Sequence, residues 1–155
     1  MIALLALLAL GTAAVEEAPA HPLDPFMLDV TEGCLLPDIS KADPRAYFLS
    51  NGWKRISPAK FSRRIGQANY TVKVAWPSSK KASASCSFSS DDVAVSDVYS
   101  WFKNRIGEPQ DIPWSAQQVG GWKIITNDHD AGIYLSRKNK KTADGVGMML
   151  HILQN

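Results

Sequence analysis

Acidic residues are missing from a long internal stretch. Between Pro44 and Ser90 there are nine Lys or Arg and not one Asp or Glu. Histidine is scarce at three, and cysteine scarcer at two. No apolar run reaches the ~20 residues that a membrane-spanning helix needs. Motifs that announce common chemistries are also absent: there is no G-x-S-x-G elbow, no H-E-x-x-H, no phosphate-binding loop and no C-x-x-C. Gly145-Val146-Gly147 lacks the third glycine of a dinucleotide signal. The usual nucleophile, zinc and nucleotide chemistries lose their support, and neither a metal nor another cofactor is implied. Disorder is excluded as well, because 45% of the residues are hydrophobic and only 21% charged, enough to bury a core. A chain of 155 residues corresponds to one domain.

What is present begins with Ile2 to Leu10, an unbroken run of Ile, Ala and Leu. It matches the roughly 7–15 residues of a secretory h-region and is too short to span a bilayer. Small residues follow, so a signal peptide within residues 1–20 is expected, cleaved after Ala13, Ala14 or Ala20. No Lys or Arg precedes the run, a departure from the usual pattern. The implied destination is the periplasm or the cell exterior. In an exported chain an even, small cysteine count reads as a disulfide, so Cys34 and Cys86 are expected to be bridged.

Residues 21–43 are acidic and Pro-rich and read as a lead-in, which leaves 44–155 as a single domain. Asp43-Pro44 supplies an N-cap and a first helical residue for a helix over about 44–51, closed by Asn51-Gly52. Ser57-Pro58 repeats that signal and predicts a short helix over 58–65. Tyr70, Val72, Val74 and Trp76 then alternate with polar residues, as do Ala82, Ala84, Cys86 and Phe88 with serines. Period 2 in both runs predicts a hairpin with one face on a core. Val95, Val98, Tyr99, Phe102 and Ile106 share one stripe of a helix over about 92–106, capped by Ser90, Asp91 or Asp92. Three more strands follow, over about 121–126, 131–137 and 145–153. The expected class is α+β: a mostly antiparallel sheet of five to six strands with the two main helices on one face.

Gly52-Trp53-Lys54-Arg55-Ile56 and Gly121-Trp122-Lys123-Ile124-Ile125 each start a strand set, which hints at a tandem helix-plus-three-strand repeat. In outline this resembles the architecture of secreted enzyme inhibitors; the resemblance is one of architecture, and implies an inhibitor-like binding protein.

Asp128-His129-Asp130 is the one cluster of acid–base groups, and reads first as a polar hairpin turn. His151, in the last strand, reads as a sheet residue. A small hydrolase using His129 or His151 with a carboxylate is therefore the weaker reading. Charge says more. Residues 15–43 carry seven acids and one base, the reverse of the stretch that follows. On the expected 58–65 helix, Lys60, Arg63 and Arg64 fall on one face, with Lys54 and Arg55 just before them. Such a basic patch attracts anions, unless the acidic segment folds back over the basic stretch or the bases are scattered around the domain. The function expected is a small exported protein that binds an acidic protein or an anionic envelope component. No nucleic acid is expected as partner, and oligomeric state is not specified. A structural part in an envelope assembly is the third reading.

Overall fold

Alternating buried and exposed side chains along residues 70–75 and 85–90 define the middle of the molecule. The computed structural model describes residues 20–35, 43–75, 85–111, 118–125, 130–137 and 145–153, with backbone alone for 124–125, 130–131 and 147–153. The expected signal peptide and Trp76 lie outside these residues. Three α-helices and seven strands are described: α1 (Asp24–Val30), α2 (Pro44–Ser50), β1 (Lys54–Ser57), β2 (Lys60–Ile65), β3 (Ala68–Ala75), β4 (Ser85–Ser90), α3 (Val95–Arg105), β5 (Gln118–Ile125), β6 (Asp130–Arg137) and β7 (Val146–Leu153). A π-helical turn, Thr31–Leu35, continues α1. The strands form one antiparallel sheet in the order β1-β2-β3-β4-β7-β6-β5. The α+β class and the antiparallel sheet are as expected. A helix followed by three strands occurs twice, as α2–β1–β2–β3 and α3–β5–β6–β7, with β4 between them.

The extra strand is β2. Residues 58–65, expected as a helix, form a turn and then a strand. Two hairpins override the cap signal at Ser57-Pro58. Ile65 pairs with Ala68 across a two-residue turn, Gly66-Gln67, where Gly66 holds φ at +59°, a conformation glycine adopts without a Cβ penalty. In a strand Phe61 reaches the core and is completely buried.

The segment expected as a lead-in is part of the core. Phe26, Val30 and Cys34 recur every four residues and, with Leu23 and Met27, bury one side of α1 and its π-helical turn. Phe26 stacks on Tyr70 at 4.1 Å between ring centroids. Helix α2 follows its sequence signals: the Asp43 side chain accepts the Arg45 N–H. It lies so close to the turn that a Cβ on Gly33 would come within 2.8 Å of the Phe48 and Tyr47 rings. Phe48 in turn meets Trp53, Phe61 and Phe88. On the other half of the sheet, Phe102 of α3 stacks on Trp122 at 4.8 Å.

Helix α3 starts at Val95, three residues later than expected, because its expected caps are used elsewhere. Asp92 accepts the backbone and side-chain N–H groups of Asn69 at 2.7 and 2.9 Å. Ser90, buried, donates to the Asn69 carbonyl and accepts the Asp92 N–H. Ala94 stands at the N-cap without a side-chain bond.

Cys34 and Cys86 are bridged, with Cα atoms 6.3 Å apart. The bond ties the π-helical turn to β4, the central strand of the seven. Cross-linking residues 52 apart in sequence restricts the unfolded chain and stabilises by about 4 kcal/mol in the loop-entropy model. The Cys34→Ser, Cys86→Ser double variant should therefore lose about 4 kcal/mol in urea unfolding; an unchanged midpoint would contradict this account.

Candidate functional site: the open basic face of the sheet

Because β2 is a strand, its basic residues separate. Period 2 sends Phe61, Arg63 and Ile65 to the side covered by helices, and Lys60, Ser62 and Arg64 to the other. The three cations expected on one face are not brought together. Arg55 pairs in register with Phe61 and so belongs to the helix-covered side, while Lys54 pairs with Ser62 on the open side.

Arg63 is committed to an internal ion pair. Its guanidinium lies 2.8 Å from Oδ2 of Asp29 in α1. Asp29 is buried and fully served: Trp53 Nε1 donates to Oδ2 at 3.1 Å and the Tyr47 hydroxyl donates to Oδ1 at 2.9 Å. Burial, and then the hydrogen bond to Asp29, push the Tyr47 hydroxyl's pKa well above its ordinary value, so it remains a donor. Acids of the 15–43 segment thus neutralise two bases of the acid-free stretch, Asp29 pairing with Arg63 and Asp43 with Arg45. A third acid, Asp24, ties helices together. It accepts Trp101 Nε1 at 2.8 Å and the His21 N–H at 2.7 Å, and lies 3.4 Å from Arg105.

The open side of β1–β4 carries four of the bases. Lys60 and Lys73 pair directly across β2 and β3, Arg64 pairs with Asn69, and Lys54 sits beside Ser62. All four are exposed. Among the described residues none of them has an ion-pair partner. Between and beside them are hydroxyls: Ser62, Thr71, and Ser85, Ser87 and Ser89 of β4, with Thr71 and Ser89 hydrogen-bonded to each other at 2.8 Å. The serines are half-buried while Cys86 and Phe88 on the same strand are buried, so the register is the expected one. Like charges directly opposed in a sheet are unfavourable. Lys73 was not anticipated as a site residue; the Gly66-Gln67 turn, read as a hairpin, would have placed it opposite Lys60.

His129 lies outside the described residues. His151 stands in β7, in register with Ser85 and Gly132, and its side chain lies outside them too. Among the described residues no three His, Cys, Asp or Glu are grouped so as to hold a metal, and no helix is long and apolar enough to cross a membrane. No family model, curated protein or solved structure matches the chain.

Two outcomes follow from the paired acids. Asp29→Ala strands the Trp53 N–H and the Arg63 charge, and should lower stability by about 3 kcal/mol. That is the low end for a buried pair, because the Arg63 side chain is 37% exposed and solvent screens it. A loss below about 1 kcal/mol by denaturant titration would remove Asp29 from its central place. Asp24 has its pKa lowered by the Trp101 hydrogen bond first, then by the His21 N–H and the Arg105 charge. Its contribution is therefore complete above the ordinary carboxylate value of about 3.9 and is lost as pH falls through the lowered one. Thermal melts at descending pH should show wild type losing this increment, while Asp24→Asn, which never has it, gives a flatter profile; parallel profiles would refute the assignment.

Proposed function

We propose that this chain is a small exported binding protein that engages an anionic partner through the open face of β1–β3. The observation that carries the reading is the directly opposed pair Lys60 and Lys73, flanked by Lys54 and Arg64, all exposed and none ion-paired among the described residues. An arrangement that repels itself in the free protein is stabilised when an anion neutralises it. Arg63 and Arg55 do not belong to this surface. Export is supported by the apolar run at Ile2–Leu10, and the Cys34–Cys86 disulfide is compatible with an oxidising compartment.

The other readings find less support. Assembly through sheet edges would use β1 or β5. Strand β1 is four residues long, irregular between Arg55 and Ser57, and carries Lys54 and Arg55, features that discourage edge pairing. At β5 the Gly121 carbonyl already accepts the Gln110 N–H. The hydrolase reading depends on His129 and His151, and no described residue adds to it.

The test is chromatography of the disulfide-bonded protein on phosphocellulose with a salt gradient. The Lys60→Glu, Lys73→Glu variant should elute at distinctly lower salt than a charge-matched Lys103→Glu, Arg137→Glu variant. Coincident elution of the two folded variants would mean that net charge alone governs retention and that the face has no binding role.

A further inference from the structure

The geometry points to an extended acidic polysaccharide, carrying sulfate or carboxylate on successive sugars, as the ligand of the open face; this inference rests on the anion-binding reading above. Three properties of the face select it.

The first is spacing. Lys60 and Lys73 stand on neighbouring strands about 5 Å apart, while Arg64 is four residues further along β2, about 13 Å away. Lys54 adds a charge on β1, in register with Ser62. A single small anion cannot meet all four cations, and a chain with repeated charges can. The second is what lies between the charges. Ser62 and Thr71 pair with each other across β2 and β3, between the row of Lys60 and Lys73 and the row of Arg64 and Asn69. Hydroxyls both donate and accept and so match sugar hydroxyls. The face thus alternates cation and hydroxyl, as an acidic glycan alternates anion and hydroxyl.

The third is what the face lacks among the described residues. The aromatic side chains of β2–β4, Phe61, Tyr70 and Phe88, are all buried on the helix side, so no stacking platform is offered to single-stranded nucleic acid. Across β2–β4 the same arrangement leaves no aromatic or large aliphatic anchor of the kind that dominates protein interfaces. Of the exposed large hydrophobics, Leu28, Leu49 and Ile106 lie on the helices or just beyond α3. Ile56 stands on edge strand β1, at the irregularity between Arg55 and Ser57, a single apolar side chain at the rim of the face rather than a cluster to insert into a bilayer.

The experiment compares five immobilised probes at physiological ionic strength, using the disulfide-bonded protein: heparin, polygalacturonate, poly-glutamate, phosphatidylglycerol vesicles and single-stranded oligo-dT. Heparin or polygalacturonate should bind more tightly than the other three. Lys60→Ala with Lys73→Ala should weaken that binding about tenfold, and Lys103→Ala on the helix side should leave it unchanged. Circular dichroism and thermal melts establish that the variants are folded; the lysines are exposed, so they should be. If poly-glutamate, vesicles or DNA bind more tightly through the same two lysines, the glycan assignment fails and the anion-binding reading stands. If glycan binding is unchanged in the folded double variant, the face is not the glycan site. If no probe binds, both the glycan assignment and the anion-binding reading fail.

Discussion

Burying a carboxylate is unfavourable unless its charge is paired and its oxygens are satisfied, and the N-terminal half of this fold is organised around meeting that requirement for Asp29. Its partners come from three places: Tyr47 from α2, Trp53 from the approach to β1, and Arg63 from β2. With Asp29 on α1 itself, four consecutive elements must adopt their native arrangement together for the carboxylate to be solvated by protein. The aromatic cluster around Phe48 packs against the same elements, and the Cys34–Cys86 bond fixes the far end of the same helical segment to β4. Polar, apolar and covalent constraints therefore agree on one placement of α1, a consistency that favours a single native state.

That placement also divides the basic residues by role. On β2 the pleat sends neighbours to opposite faces, so Arg63 becomes part of the interior while Lys60 and Arg64 face outward. Arg suits the internal position, where its planar, permanently charged group meets a carboxylate and still reaches solvent. The outward residues have no structural task of that kind. Lys54 and Arg55 do have one, at the short edge strand, where charge discourages pairing with another chain.

Much of this was legible in the amino-acid order, and the failures share a cause. Helix α2 was readable because its cap, its proline and its closing glycine are local signals. Strands β3 and β4 were readable because alternation over Tyr70–Ala75 and Ser85–Ser90 has no helical interpretation. For residues 58–65 two local signals conflict. Ser57-Pro58 looks like a helix start, and Lys60, Arg63 and Arg64 look like a helical stripe, yet the two-residue turn at Gly66-Gln67 and the burial available to Phe61 favour a strand. Tertiary context decides such short segments. Helix α1 was hidden by composition: Asp24, Asp29, Glu32 and the prolines suggested solvent, although Phe26, Val30 and Cys34 already carried the helical period. The acids make the segment look exposed, although folding back over the basic stretch was open to it, and Asp29 and Asp43 do pair with Arg63 and Arg45.

The strand order has a consequence for the growing chain. Strand β4 is made by residue 90, but one of its two neighbours is β7, residues 146–153. Through all the length between them, β4 presents an unsatisfied row of amide and carbonyl groups, and its central position in the sheet is achieved only once residues 146–153 have joined it. Any shortened product ending before β7 would carry that row as a permanent edge, with Cys86 and Phe88 beside it, open to pairing with other strands.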